Sequence, residues 1–201
     1  MRRKVTPTIL IGLLTLLAGC QTDKGSQSNM SNATPEAMPA RVDPVGRGKY
    51  LATIMGCNDC HTTMTGMGPA GPIYDQSRYF AGHPADANLP APPPPGPWWI
   101  STNMTAFAGP WGISYTANIT PDSLTGIGIW TEDIFIQAMR TGRHAGVARP
   151  ILPPMPWTAV AALTDEDIKA LYAYLRSIPA VTNQVPEAVI AAPPPAAGET
   201  H

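Results

Sequence analysis

Apolar positions fall along the chain in stretches of sharply different kinds. Ile9 to Leu17 is an almost unbroken apolar run, with Arg2, Arg3 and Lys4 before it and Ala18-Gly19-Cys20 after it. Gln21 to Asp43 is polar, rich in Ser, Asn, Thr, Gly and Pro, and has no apolar period, the mark of a flexible tether. From Gly46 to Met55, Leu51, Ile54 and Met55 fall at helical spacing, which predicts a short helix. Met64 to Gly112 is dominated by Gly and Pro, and Pro90 to Pro97 within it predicts an extended polyproline-type segment. Periodicity resumes after Trp130: Thr131 is a good N-cap for a helix through Ile134, Ile136 and Met139 that ends at Gly142. Pro150, Pro153, Pro154 and Pro156 then fix a stiff loop. The clearest helix starts at Thr164, with Asp165, Glu166 and Asp167 where the helix dipole favours acids. Ile168, Leu171, Tyr172 and Leu175 form its apolar stripe, and Pro179 follows its end. The Ala/Pro-rich tail after Pro186 carries no core signal. No strand-rich region is evident, so the pattern predicts a mainly α domain with a long proline-rich irregular insert at about 64–112.

Composition sharpens this picture. Charged residues are 13% of the 201 residues and the formal net charge is −1, which disfavours an electrostatic nucleic-acid binder. Hydrophobic residues reach 44%, enough for a core, while 24 prolines force long irregular segments.

The chain has three cysteines, and their contexts differ. The first nineteen residues have the basic, apolar and small-residue regions of a secretory signal. Leu17-Ala18-Gly19-Cys20 resembles the bacterial lipobox, which implies that Cys20 is acylated and anchors the chain to a membrane. This gives a signal at 1–19, a tether at 20–43, a domain at 44–186 and a disordered tail at 187–201. It also implies a bacterial cell-envelope location, with the domain facing the periplasm or exposed on the outer side of the membrane.

The other two cysteines lie in Cys57-Asn58-Asp59-Cys60-His61, the C-x-x-C-H attachment sequence of c-type haem. Two thiols three positions apart on a helical turn can add to the two vinyl groups of one porphyrin, and the adjacent histidine then lies under the iron. A thioredoxin-like dithiol wants a βαβ setting that is missing here. A zinc site needs two further ligands at close spacing, and no second C-x-x-C exists.

With these residues the sequence resembles the monohaem cytochrome c family. In that family an N-terminal helix runs into C-x-x-C-H and crosses a C-terminal helix that ends in a Tyr-Leu pair. Gly48-Lys49-Tyr50-Leu51-Ala52 looks like the first helix, and Leu171-Tyr172-Ala173-Tyr174-Leu175-Arg176 like the second. A glycine at the crossing, Gly48 or less firmly Gly46, is expected against Tyr174. Three further stretches are similar to the cytochrome c subunits of bacterial membrane-associated dehydrogenases: Asn118-Ile119-Thr120-Pro121-Asp122 with Thr125-Gly126-Ile127-Gly128, Pro153-Pro154-Met155-Pro156-Trp157, and Leu163-Thr164-Asp165-Glu166-Asp167-Ile168. Those subunits often carry several haems; this sequence has one C-x-x-C-H.

The resemblance implies a cytochrome c-like helical domain around one covalent haem c on Cys57 and Cys60, with His61 as proximal iron ligand. Met155, held between two prolines, is the leading candidate for the distal ligand. His144, His83, Met104 and an open site are the alternatives. The ring N–H of the proximal histidine should donate to a backbone carbonyl, for which Pro69 and Pro72 are candidates. Asn118, Trp130 and Trp157 are candidate pocket supports, and Arg140 and Arg143 candidate partners of the propionates. His83, in a Gly-His-Pro turn, reads as a solvent residue. The implied role is single-electron transfer between a dehydrogenase or other donor and the respiratory chain, without substrate chemistry. The alternative is a haem enzyme or gas-binding cytochrome with an open distal site. Trp98 and Trp99 mark a candidate docking face on the insert.

Overall fold

A computed structural model describes residues 43–88 and 97–191. The leader, Cys20, the tether, most of the polyproline run and the tail beyond 191 lie outside the described residues. Helix α1 (Pro44–Ile54) opens on Asp43, whose carboxylate accepts from the Val45 and Gly46 N–H groups, with Pro44 in the first turn where its missing N–H costs nothing. Helix α5 (Asp165–Ser177) opens on Thr164, which accepts from Asp167 N–H, and three acids fill its first turn.

These two helices cross at Gly48. A Cβ there would lie 1.9 Å from the Ala170 carbonyl oxygen and 2.7 Å from Tyr174 Cβ, so only glycine permits the approach. Gly46 is exposed and sits over its own cap, Asp43, rather than in the crossing. Beside the crossing Arg47 makes a two-pronged ion pair with Asp167, at 2.8 and 3.0 Å. The core grows outward from there through Leu51, Phe80, Phe135, Ile168, Leu171 and Leu175.

Helix α3 (Glu132–Thr141) is capped by Thr131 and stopped by left-handed Gly142; α4 (Trp157–Ala161) is a single turn. Arg140 at the end of α3 ties these elements together by donating to the Ala161 and Leu163 carbonyls and to Asp165. The short α2 (Cys57–His61) follows α1 through Gly56, which adopts φ 66°.

The expectation of a mainly α fold is corrected here. Helix accounts for 35% and strand for 16% of the described residues, in five α-helices and two sheets. The stretch expected to be irregular supplies four of the six described strands and the start of a fifth. β1 (Met64–Gly68) and β2 (Gly71–Tyr74) form a hairpin. β3 (Trp99–Ile100), β4 (Ala106–Gly109) and β5 (Gly112–Tyr115) form an antiparallel sheet, joined on its far edge by β6 (Val189–Ile190). Pro69, Pro84, Pro97 and Pro110 sit in the connections, whereas Gly66, Gly68, Gly71, Gly109 and Gly112 lie within strands. Pro110 and Trp111 make the tight turn between β4 and β5, and small Ala106 and Ala108 leave β4 buried along its whole length. β6 also means that the chain past Pro186 is ordered as far as the sheet requires. No helix among the described residues is long and apolar enough to cross a membrane.

Gly48→Ala should therefore cost about 1–3 kcal/mol of unfolding free energy, the usual price of overpacking a rigid contact. Gly66→Ala, where nothing lies within 4 Å of the new methyl, should stay within about 0.5 kcal/mol. Urea denaturation of the two variants beside the parent measures the difference.

Candidate functional site

The thiols of Cys57 and Cys60 lie on one turn of α2, and both line a cavity of about 460 Å³, within the range that encloses cofactors. Burial pushes the Cys57 thiol up to about 11 and raises that of Cys60, with Asp59 adding to both. Both therefore stay protonated near neutral pH. His61 closes the helix, is buried, and lines the same cavity. Its Nδ1 lies 2.8 Å from the Ala117 carbonyl oxygen. A carbonyl only accepts, so Nδ1 carries the proton and Nε2 keeps the lone pair. Burial holds this imidazole below the usual histidine range, against the opposing pull of the Ala117 bond.

The acceptor is thus Ala117 and not Pro72, which is exposed on β2 across from Met67. Ala117 reaches the ring because 80–83 runs beside 116–119: Ile119 N–H donates to the Phe80 carbonyl and His83 N–H to the Thr116 carbonyl. Gly82 N–H donates to the carbonyl of His61 itself, at 2.8 Å. His83 is only 6% exposed, with Nδ1 2.9 Å from Thr105 Oγ1 and its ring against Tyr115, so its reading as a solvent residue is also corrected. The Gly-His-Pro turn faces the sheet.

Met155 lines the cavity from the loop before α4. Its carbonyl accepts from Trp157 N–H, and the neighbouring Pro153 carbonyl accepts from Ser114 Oγ on β5 at 2.5 Å. Ser114 in turn accepts from Trp111 Nε1. Met55 and Met139 also line the cavity, the first beside α2 and the second buried in the α3 core.

Asn118 and Trp130 line the cavity too, and Trp130 meets the ring of His144 edge-on at 5.1 Å. Trp157 does not line it. That indole lies where a Cβ on Gly142 would sit, packed on the end of α3. Arg140 and Arg143 are spent on backbone carbonyls elsewhere, whereas His144, Arg149 and Glu187 line the cavity. Leu124 and Ile129, 85% and 74% exposed, also line it; Trp98 and Trp99 do not. Ala117, Ser114 and Arg149 were missed by sequence reasoning. Only Ala117 had a usable signal, its place directly before the Asn118-Ile119-Thr120 motif.

That motif is the frame of the cavity wall. Asn118 Oδ1 accepts from both the N–H and the hydroxyl of Thr120, and its Nδ2 donates to the Val181 carbonyl and to Thr125 Oγ1. Asp122 accepts from the Leu124 and Thr125 N–H groups, the Thr125 hydroxyl and the Thr182 hydroxyl. The backbone folds so tightly that a Cβ on Gly126 would lie 2.2 Å from the Thr120 carbonyl oxygen, and one on Gly128 2.5 Å from that of Pro121.

A paired-thiol helix, a fixed imidazole and a methionine thus line one largely apolar cavity, a set of side chains of the kind that holds a c-type haem. No family model matches the chain. It is 32% identical over 151 residues to the fructose dehydrogenase cytochrome subunit of Gluconobacter japonicus, which covers 75% of this chain and 24% of that protein. It is 35% identical over 130 residues to the gluconate 2-dehydrogenase cytochrome c subunit of Pantoea cypripedii, covering 65% and 22%. A third relative, the cytochrome c subunit of the quinone alcohol dehydrogenase of Gluconobacter oxydans, is 31% identical over 130 residues, covering 65% and 20%. The chain falls in the cytochrome c family, similar to the cytochrome c subunits of bacterial dehydrogenases. It spans about a quarter or less of the length of these relatives.

The side-chain bonds from Thr125 and Thr182 hold the Asp122 carboxyl down to about 2, from an ordinary value of 3.8. A carboxyl depressed on folding contributes stability that is whole above its unfolded value and is lost as pH falls toward its folded one. Asp122→Asn should lower stability at neutral pH and flatten the loss of stability between about pH 4 and pH 2. Thermal melts across that window check both effects.

Proposed function

We propose that this chain is an electron-transfer cytochrome subunit that holds one haem c covalently in the cavity at Cys57, Cys60, His61 and Met155. The observation that carries the reading is the meeting of protonated thiols, a ring with a free Nε2 and a proline-braced thioether in one apolar cavity. The residues fit the group. The two thiols sit on one helical turn and can form the thioether links. The Ala117 bond presents Nε2 as the unprotonated nitrogen that a metal ligand must be. Met155 rests on a loop pinned by Ser114 through the Pro153 carbonyl and lines the cavity.

Bound there, haem c supplies a one-electron iron couple. His61 and Met155 would hold the iron, His61 tied to the Ala117 carbonyl and Met155 on the loop bound by Ser114, and Leu124 and Ile129 are exposed at the cavity. Its electron-transfer partner is a dehydrogenase, by similarity to relatives that are themselves cytochrome subunits of dehydrogenases. The run from Arg2 to Cys20 supports export and a lipid anchor on Cys20, which places this chemistry on the periplasmic or outer side of a bacterial membrane.

A second reading, an open-site haem enzyme, has one observation of its own: His144 and Arg149 line the same cavity and are of the types that polarise a bound ligand.

Carbon monoxide separates the two readings. The reduced wild type, produced with the haem maturation machinery, should bind it poorly. Met155→Ala should bind it readily, and Met139→Leu should behave as the wild type. Ready binding by the reduced wild type would favour the open-site enzyme, and wild type without covalently bound haem would defeat both.

A further inference from the structure

Asn183 lies beyond α5, is buried, and uses every polar atom of its side chain on one segment. Nδ2 donates to the Ala81 carbonyl at 2.7 Å and to the His83 carbonyl at 2.8 Å, and Oδ1 accepts from Ala85 N–H at 3.0 Å. Its backbone N–H donates to Thr125 Oγ1 at 3.0 Å, within the motif that frames the cavity wall. Between the two bonds made by Nδ2 lies Gly82, whose N–H donates to the carbonyl of His61. The adjacent His83 N–H donates to the carbonyl of Thr116, one residue before the acceptor of the His61 ring.

The His61 carbonyl is therefore bound by the segment that Asn183 braces, and its Nδ1 by Ala117, whose neighbour Thr116 is tied to that same segment. Gly82 and Ala117 are also in direct contact. A Cβ on Gly82 would meet the Thr116 oxygen at 2.3 Å and the Ala117 carbonyl carbon at 2.5 Å, so a shift of one backbone displaces the other.

We propose that Asn183 is a positioning residue for the His61 imidazole, setting through 81–83 and 116–117 the strength of the bond from Nδ1–H to the Ala117 carbonyl. This rests on the haem reading above. Hydrogen bonds weaken steeply with distance and angle, so a small displacement of the Ala117 carbonyl alters how much negative character the imidazole carries. A more basic imidazole stabilises the oxidised iron, and a less basic one the reduced iron. Loss of the brace should therefore raise the reduction potential without touching either axial side chain.

The test is redox titration of haem-loaded protein. Asn183→Leu removes both donors and the acceptor without adding charge, and Asn183→Ser shortens the side chain, also without charge. Arg47→Ala is the control: it removes the ion pair between α1 and α5, away from 81–85 and 116–118. The expected result is an upward shift of the midpoint potential in both Asn183 variants, with haem content and the long-wavelength band of methionine-ligated ferric haem retained, and a wild-type potential in Arg47→Ala.

An unchanged potential in the Asn183 variants, or an equal shift in Arg47→Ala, overturns the proposal and leaves the haem reading intact. If neither Asn183 variant folds, the residue is a general stability element and the positioning role falls. A wild type without covalent haem overturns the haem reading and this inference together.

Discussion

The hydrogen bond from His61 Nδ1 to the Ala117 carbonyl joins residues 56 positions apart, and most of the structure can be understood as what holds its two ends. At one end, α2 is too short to be stable alone and takes its place from α1. That helix is locked to α5 by a glycine packed against a carbonyl and by the Arg47–Asp167 pair. At the other end, Ala117 belongs to an extended stretch with no regular ladder of its own. It is fixed by backbone bonds to 80–83 and by the polar side chains of 118–125. A carbonyl carried on a mobile loop would leave the ring free to rotate and its tautomer undetermined. The burial of Asn118, Thr120 and Asn183, each with its hydrogen bonds made, is the cost of rigidity in a region where neither helix nor sheet supplies it.

The sheet has the corresponding role on the methionine side. β5 carries Ser114, which holds the Pro153 carbonyl, and runs on directly to Thr116 and Ala117. One strand thus contacts the loop of Met155 and leads to the acceptor of His61. The insert is what makes this possible, because β5 is buried only when β4 lies on one side of it and β6 on the other.

How much of this was legible in the sequence follows from how far apart the interacting residues are. The caps at Thr131 and Thr164, the stop at Gly142 and the pairing of Gly48 with the last helix depend on local signals or on a small residue at a crossing, and these were readable. The grouping of the two thiols and His61 was legible in the C-x-x-C-H spacing, and the structure brings all three to one cavity. The strands of the insert were not, since each is only two to five residues long and gains its stability from a partner elsewhere in the chain. Ser114 was hidden for a related reason, and Ala117 was marked only by its place before the Asn118-Ile119-Thr120 motif. What matters at 117 is a backbone oxygen, which any residue could supply, and Ser114 is an unremarkable residue in a short strand. Pro72 misled because its carbonyl is a plausible acceptor in sequence, which gives no sign of which way its strand faces.

The cavity also sets two electrostatic tendencies against each other. Burial pushes the thiols up and holds the His61 imidazole below its usual range, while Arg149 and Glu187 also line the cavity. An apolar interior penalises added positive charge and so favours the reduced state of a bound iron couple. The His61–Ala117 bond works in the opposite direction, because it makes the imidazole a stronger donor and favours the oxidised state. Neither tendency can be varied freely. Weakening the apolar wall opens the cavity to water, and loosening Ala117 disturbs the segments that carry the wall itself. On the proposed haem reading, the polar network around residues 118–125 and 181–183 is a part of the fold where the balance can be adjusted without exchanging a ligand.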